Sequence, residues 1–139
     1  MTRTTGFVFD TGMLIALERR KQRATHFFTI ARRDRVPIWV PSPVFAEWWR
    51  GRSSVRESIR RSFEIDSLSE EVLRLAGEAL ANIKGKFDGC IVVDALVMAS
   101  AALQGDTVFT GDADDLTRFH PFFPNVRVLG CGESPVRDQ

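Results

Sequence analysis

The sequence lacks the long apolar runs that membrane proteins need. No stretch of about 18 consecutive apolar residues occurs among the 139 residues, so we predict no membrane-spanning helix. The N-terminal residues 1–10 have no extended apolar segment typical of a secretory signal, and a cytoplasmic location is the expectation. Cysteine is scarce: Cys90 and Cys131 are the only two, and they form no CxxC pair. We expect both to be buried thiols in a reducing compartment.

Several catalytic patterns are also absent. The sequence has no GxxxxGK[ST] loop, GxSxG elbow or GxGxxG fingerprint, which disfavours nucleotide binding and serine-hydrolase chemistry. His26 and His120 are the only histidines, and one lies on a basic helix while the other lies in a Phe- and Pro-rich loop. We predict that both are structural. Cys90 has no neighbouring His or basic residue to activate its thiol, so a structural role is favoured there too.

Charge is distributed unevenly along the chain, although the net charge is only +1. Residues 1–61 carry 13 Lys and Arg against 5 Asp and Glu, a balance of +8, and residues 62–139 carry 6 against 13, a balance of −7. A basic half and an acidic half in one small domain indicate a polyanionic partner on one side and cations on the other. Solvated helix faces of different sign are the simpler alternative.

Hydrophobic periodicity predicts alternating strands and helices. The predicted order is strand 7–9, helix 12–20, helix 22–34, strand 38–40, helix 44–50, helix 53–61, strand 63–66, a helix to residue 83, a helix opened by Asp94, strand 107–110 and strand 125–129. Ser42 before Pro43 is typical of a helix start. Ser67 and Ser69 are two candidate caps for the helix that follows, and Ser67 to Glu70 has the spacing of a capping box. A loop is expected between Gly85 and Gly89. This alternation predicts a three-layer α/β domain with a central, mostly parallel sheet.

Four acidic residues are predicted to lie at one edge of that sheet. Asp10 ends the first strand, Glu47 lies one turn into the helix after the second, and Asp112 follows the strand 107–110. Asp94 opens the helix that precedes that strand. In open parallel sheets the carboxyl ends of the strands face the ligand-binding crevice, so we expect these side chains to converge.

Converging carboxylates repel one another and raise one another's pKa values unless a cation neutralises them. Mg²⁺ or Mn²⁺ suits such a site, because these ions take oxygen ligands and can activate a bound water for phosphodiester hydrolysis. Each carboxylate also has a simpler explanation. Asp94 could be only a helix cap, Asp10 a turn residue and Glu47 a partner of Arg50, and one of the acids at 112–115 is expected at a helix start.

In these positions the chain resembles the PIN-domain ribonucleases and, more narrowly, the VapC toxins of bacterial type II toxin–antitoxin modules. The matching segments are strand-Asp10-Thr11, Glu47 in VFAEWWR, Asp94 in VVDALVMASA and the run TGDADDL at 110–116. The resemblance extends from residue 7 to about residue 129. It implies one PIN domain over residues 1–132, with a sheet of four to five strands flanked by helices, and a disordered tail at 133–139.

The resemblance also implies an activity and its residues. The activity would be Mg²⁺- or Mn²⁺-dependent endonucleolytic cleavage of RNA, blocked by a cognate antitoxin, in a protein that usually forms a homodimer. Asp10, Glu47, Asp94 and Asp112 would be the catalytic, metal-holding quartet. Supporting groups around that quartet would be Thr11, Thr110, Asp114 and Asp115.

Arg52, Arg56 and Arg60 recur every four residues, and the spacing predicts one basic row. The resemblance implies that this row and Arg61, together with Arg19, Arg20 and Lys21, would steer RNA phosphates toward the acidic site. A solvated surface or contacts with an acidic antitoxin are the alternatives. Gly12 departs from the family pattern, since a small polar residue is common there. It also disfavours a haloacid-dehalogenase-like phosphatase with Asp10 as nucleophile, which would need a second Asp at that place. Gly12 is the one motivation for a further alternative, a non-catalytic PIN-like module that binds antitoxin or RNA.

Overall fold

A computed structural model describes residues 3–83 and 89–132 of the chain. The elements in these ranges, in chain order, are β1 (Phe7–Phe9), α1 (Thr11–Glu18), α2 (Gln22–Arg33), β2 (Ile38–Pro41), α3 (Ser42–Trp48), α4 (Ser54–Arg60), β3 (Glu64–Asp66), α5 (Glu70–Ala81), α6 (Gly89–Gln104), β4 (Thr107–Thr110), α7 (Asp114–Thr117) and β5 (Arg127–Gly130). No helix within the described residues combines the length and apolarity needed to cross a membrane.

The five strands form one parallel sheet in the order β3-β2-β1-β4-β5. In the central register, Phe7 pairs with Ile38 of β2 and Val8 pairs with Val108 of β4. Central parallel strands are covered on both faces, which explains why β1, β2 and β4 are short apolar runs rather than alternating ones. The predicted α/β fold with a parallel sheet of four to five strands is confirmed, and β3 and β5 are its edge strands.

Helices flank this sheet and bury its apolar side chains. Helices α1 to α4 lie together around α1, whereas α5 packs along α6, and α6 contacts β2 and β4. Phe109 lies at the centre of the aromatic core, with ring centroids 4.5 Å from Phe7, 5.0 Å from Phe27 and 5.7 Å from Phe9. Full burial of such rings contributes about 2–3 kcal/mol each, so this cluster holds α2 against the middle of the sheet.

One predicted helix start is wrong, because helix α6 begins at Gly89, and Asp94 lies inside the helix and does not open it. Helix α3 begins where Ser42 and Pro43 predicted it, but Pro41 is the N-cap and Ser42 is already helical, with no side-chain cap. Of the two candidate caps of α5, Ser69 is the one that caps the helix, by accepting the Val72 N–H, and the capping box from Ser67 to Glu70 does not form. Residues 84–88 of the expected loop and the tail 133–139 lie outside the described residues.

Helices α1 and α2 end in the same way, on an arginine in the left-handed conformation. Arg20 has a φ of 54° and Arg35 a φ of 57°. After α1, the N–H of Lys21 donates to the Ala16 carbonyl and that of Arg20 to the Leu17 carbonyl, which is the Schellman pattern. Glycine usually occupies this position, because a side chain there costs roughly 1–2 kcal/mol.

A largely buried ionic cluster joins the N-terminal segment to the end of β3 and to the residue before β4. Arg3 Nε lies 2.9 Å from Asp66 Oδ2, and Arg3 Nη2 lies 2.5 Å from Asp106 Oδ2. Asp106 has no exposed side-chain surface, and its Oδ1 also accepts the Gly6 N–H at 2.8 Å. Ser100 donates to Asp66 as well. This cluster links the segment before β1 to the end of β3, the residue before β4 and the second half of α6, and none of its residues lines the acidic cavity described below.

Candidate functional site

A cavity of about 350 Å³ opens at the carboxyl edge of the sheet. Its walls come from the end of β1, from α3, from the first half of α6 and from the loop after β4. The residues that line it are Asp10, Thr11, Gly12, Glu47, Cys90, Val93, Asp94, Thr110, Gly111, Asp112 and Asp115. All four acids of the predicted quartet therefore lie around one cavity.

Asp10 lies at the bottom of this cavity, where the chain passes from β1 into α1. Its carboxylate caps α1 by accepting the Met13 N–H at 2.9 Å, and the residue is 9% exposed. Burial raises the pKa of Asp10 to about 6, because the charged form loses water there. Hydrogen bonds from Thr110 and from the backbone of Met13 and Gly111 oppose this rise, and repulsion from Glu47 adds to it.

Glu47 reaches the cavity because the neighbouring side chains fix the helix that carries it. Trp48 is buried, and its indole N–H donates to Glu18 Oε1 at 2.6 Å. Phe45 stacks on Trp49 with ring centroids 5.4 Å apart. With these rings packed inward, Glu47 accepts a hydrogen bond from the Thr11 hydroxyl at 2.6 Å. One of the two predicted supporting hydroxyls thus contacts a member of the quartet directly.

Asp94 enters the cavity from α6, in the second turn of the helix. Burial raises its pKa to about 7, and the nearby charge of Asp10 raises it further. The Arg118 guanidinium opposes this rise, with Nη2 at 3.5 Å from Asp94 Oδ2. Helix α6 runs back to the start of β4, so its first half lies beside the carboxyl ends of the strands. The helix places Asp94 at the site although it does not start there.

The acidic run after β4 contributes unequally. Asp112 and Asp115 line the cavity, whereas Asp114 does not, and its N–H donates to Asp112 Oδ1 at 3.0 Å. Asp114 and Asp115 form the first turn of α7, as expected for acids near a helix start. The Asp112 N–H donates to the buried Thr110 hydroxyl at 3.3 Å, so Thr110 joins the Asp10 and Asp112 segments. The geometry favours Asp112 and Asp115 over Asp114.

Glycines form the wall between α1 and the loop after β4. A Cβ on Gly12 would lie 2.7 Å from the Gly111 nitrogen and 2.9 Å from its Cα. A Cβ on Gly132 would clash with the Gly111 carbonyl oxygen. Side chains at these places would force the segments apart, so the backbones approach closely only because all three residues are glycine. The glycine at position 12 is therefore explained by this close approach, and a polar side chain would not fit there.

The donor set fits a hard divalent cation, although no ready-made cage exists. Within residues 3–83 and 89–132, no group of three or more Asp, Glu, His or Cys side chains is arranged so that it could hold a metal ion. Mg²⁺ normally binds through one or two carboxylates and completes its shell with water and substrate phosphate. The buried carboxyl of Asp10 and the half-buried carboxyl of Asp94, both with raised pKa values, in a cavity with room for water meet that need.

The three predicted RNA-binding arginines do not form a uniform row. Arg52 precedes α4 and is largely exposed, 3.7 Å from Glu57. Arg56 is engaged within the fold, with its Nε 3.2 Å from Glu18 Oε2 and its Nη1 donating to the Gly51 carbonyl. Arg60 lies over the rings of Phe45 and Phe63 and donates to the Phe63 carbonyl. The two helical arginines therefore support the structure.

Sequence reasoning missed two residues at the site. Arg118 approaches Asp94 from the end of α7, and only its position one turn after the acidic run could have indicated this. Cys90 is exposed and lines the cavity, so the expectation that both cysteines are buried is wrong for this residue. It lies one turn before Asp94 on α6, a spacing that becomes informative only once the helix is known to begin at Gly89.

Comparisons with known proteins agree with this architecture. Residues 7–120 match the family model of the PIN domain. The fold is similar to VapBC2 from Rickettsia felis bound to a DNA fragment from its promoter, with a TM-score of 0.69, 16% identity, and coverage of 89% of this chain and 97% of that one. It is also similar to VapBC-1 from nontypeable Haemophilus influenzae (TM-score 0.64, 14% identity, 89% and 96% covered) and to PAE2754 from Pyrobaculum aerophilum (0.55, 17%, 89% and 89%). A search of curated protein sequences gave no match. Since the family model spans most of the chain, the protein belongs to the PIN domain family.

Proposed function

We propose that this PIN domain is a metal-dependent endoribonuclease that hydrolyses RNA phosphodiester bonds as the toxin of a toxin–antitoxin pair. The observation that carries the proposal is the convergence of Asp10, Glu47, Asp94 and Asp112 on one cavity. Asp10 and Asp94 have pKa values raised by burial, as expected of carboxyls built to share a cation. Bare, such a cluster is unfavourable, so a ligand must supply the missing positive charge.

The acidic residues of the cavity would have different roles in binding the metal ion. Asp10 and Asp94 would hold Mg²⁺ or Mn²⁺ at the bottom of the cavity, and Glu47, Asp112 and Asp115 would bind its water ligands. The bound ion would lower the pKa of a water and neutralise the phosphate. Thr11 fixes Glu47 by a hydrogen bond, and Thr110 fixes Asp10 and Asp112.

Similarity to VapBC structures supports an antitoxin partner. Two of the similar structures are of VapBC proteins. We propose that a protein encoded next to this chain binds it and blocks the cavity. Homodimerisation remains part of the proposal, on the strength of the resemblance to VapC toxins.

A non-catalytic PIN-like module is the second candidate, and Gly12 was its one motivation. Close contact between Gly12 and Gly111 gives that residue a steric role, so its lack of a polar side chain does not argue against catalysis. Neither the carboxylates nor the supporting hydroxyls are missing. The catalytic proposal therefore has the stronger support.

Cleavage of a mixed tRNA and rRNA pool with Mn²⁺ tests the proposal, with EDTA as a blank. We expect Asp10→Asn and Asp94→Asn to lose at least a hundredfold in rate, because each removes a charge that faces the ion. Glu78→Gln, a change of the same charge on the exposed side of α5, is the matched control and should keep full activity. Asp114→Asn should lose little, since Asp114 does not line the cavity. Unchanged cleavage by Asp10→Asn would refute the mechanism.

Growth assays test separately whether the protein is a toxin that a partner protein neutralises. Expression of the wild-type chain should arrest growth, and co-expression of the neighbouring gene should relieve the arrest. Asp94→Asn should be harmless when expressed alone, yet should still bind the neighbour's product in a pull-down, because the substitution keeps the shape of the side chain. Arrest by Asp94→Asn equal to that by wild type would separate toxicity from the cavity.

A further inference from the structure

A second groove lies directly beside the carboxylate cavity. It has a volume of about 290 Å³, and its lining residues are Thr11, Ile15, Glu18, Arg19, Glu47, Trp48, Arg50 and Arg56. Thr11 and Glu47 line the cavity as well, so their 2.6 Å hydrogen bond is the wall between the two spaces. A ligand strand that leaves the cavity over this wall enters the second groove, which we call the basic groove.

Two of its arginines are available to an external ligand. Arg19 is exposed, and its side chain has no hydrogen bond or ion pair within the described residues. Its backbone is fixed, since its N–H donates to the Ile15 carbonyl at the end of α1. Arg50 is also exposed, and its Nε donates to the Glu47 carbonyl at 3.0 Å. That bond directs Arg50 along the groove and leaves its terminal nitrogens for another acceptor.

Two acidic residues line the groove, and one of them, Glu18, is already neutralised. Glu18 is ion-paired with Arg56 at 3.2 Å and accepts the indole N–H of Trp48 at 2.6 Å. Both partners are mostly buried, with side-chain exposures of 27% for Arg56 and 20% for Glu18. Arg56 therefore acts as a positioning residue that takes up the charge of Glu18. Arg19 and Arg50 therefore supply the unpaired positive charge of the groove, and the one remaining carboxylate on its lining is Glu47, on the wall shared with the cavity.

We propose that the basic groove binds a phosphate of the RNA strand next to the scissile bond. The inference rests on the nuclease function proposed above. The carboxylates of the cavity repel the phosphates that a bound cation does not contact, so cations outside the cavity would add affinity for the neighbouring part of the strand. Arginine suits the task because its planar fork can bind phosphate through two hydrogen bonds. Arg19 and Arg50 would thus secure the strand while the cavity performs the reaction.

Binding to a fluorescein-labelled, single-stranded RNA of mixed sequence and 12 nucleotides tests the groove. All proteins would carry Asp94→Asn to prevent cleavage. The test variant adds Arg19→Gln and Arg50→Gln, and the control adds Arg33→Gln and Arg74→Gln, which remove the same charge from exposed sites on α2 and α5. We expect the test variant to bind about tenfold more weakly than the control at low salt. The slope of log Kd against log salt should fall by about 0.7 for each phosphate that the variant no longer binds.

Kinetics give a second readout in proteins that keep Asp94. Here the test pair should raise KM about tenfold and change kcat by less than about threefold, because the groove contacts substrate and transition state alike. Equal binding and equal KM in the test and control pairs would overturn the proposal. Loss of binding to a 20-residue polyglutamate, with RNA binding kept, would overturn it in favour of an acidic protein partner. If the Asp94→Asn parent binds no RNA and the wild-type chain with Mn²⁺ cleaves none, the nuclease function falls and the groove assignment falls with it.

Discussion

Removing the charge of Asp10 should stabilise the metal-free protein while abolishing its activity. The pKa of the carboxyl rises from 3.8 to about 6 on folding, mainly because burial disfavours the charged form. A shift of roughly 2 pKa units corresponds to about 3 kcal/mol at 1.36 kcal/mol per unit. Asn keeps an oxygen that can accept the Met13 N–H, and it is as good an N-cap as Asp. Asp10→Asn should therefore gain up to about 3 kcal/mol above pH 6.

The pH dependence gives this gain a distinctive sign. Between pH 3.8 and about 6 the folded protein holds a proton on Asp10 that the unfolded chain has lost. Stability of the wild type therefore falls as pH rises through this window, and the penalty is fully present above pH 6. Below pH 3.8 both states are protonated, and the penalty vanishes. The advantage of Asp10→Asn should accordingly be largest at pH 7–8 and should disappear near pH 4.

Thermal unfolding in EDTA between pH 4 and pH 8, followed by circular dichroism, measures the effect. About 3 kcal/mol corresponds to a rise in Tm of roughly 10 °C for a domain of this size. Asp34→Asn is the control, because Arg33 lowers the pKa of the exposed Asp34, so its substitution should give no gain at high pH. Mn²⁺ at ten times its Kd should then raise wild-type stability by about 1.4 kcal/mol and leave Asp10→Asn unchanged. A variant less stable than wild type at pH 8 in EDTA would refute burial as the dominant cause.

Three other substitutions test features around the site. Gly12→Ala should cost about 1–3 kcal/mol in chemical denaturation and lower nuclease activity, because its Cβ would lie 2.7 Å from the Gly111 nitrogen. Arg3→Met should cost about 3–5 kcal/mol by leaving the buried Asp106 charge unpaired, and Arg3→Met with Asp106→Asn should recover part of that in a double-mutant cycle. Arg20→Gly should raise the free energy of unfolding by about 1 kcal/mol, because glycine adopts a φ of 54° without strain. Thermal unfolding checks this, and a lower Tm than that of the wild type would contradict it.

The sheet was predictable because its strands carry a strong local pattern. Phe7–Phe9, Ile38–Pro41 and Thr107–Thr110 are short apolar runs, and in a parallel sheet such runs are covered on both faces. The acids that follow β1 and β4 could be placed at the carboxyl edge for the same reason. The strands and the acids that follow them depend on local sequence and not on contacts between distant residues, so both could be predicted from sequence alone.

The start of α6 could not be predicted, since local preference and tertiary packing disagree there. Gly89 and the β-branched run of residues 91–93 are poor helix formers, and Asp94 is a good cap, so the sequence favours a start at Asp94. Packing against α5 and the sheet overrides that preference and begins the helix at Gly89. The correction matters for the site, because it brings Cys90 into the cavity one turn before Asp94.

Contacts between distant segments were beyond reach from the sequence. The approach of Gly12 to Gly111 joins the start of α1 to a loop about a hundred residues later, and no local pattern identifies either partner. The same holds for Arg118 and Asp94. Arg56 had the right charge for RNA binding, yet its pairing with Glu18 depends on how α4 packs on α1.

The strand order explains why the acids meet at this place. Chain order runs outward from β1 through β2 to β3, then returns to the other side of β1 with β4 and β5, so the topology switches direction between β1 and β4. At such a switch the two connections leave in opposite directions and open a crevice. Asp10 follows β1 and Asp112 follows β4, which places one acid on each side of that crevice. Glycines at 12 and 111 let the start of α1 and the loop after β4 touch there. Under the proposed function, a phosphate bound between these strand ends would face both carboxylates, so the cation that neutralised them would also be positioned to act on the substrate.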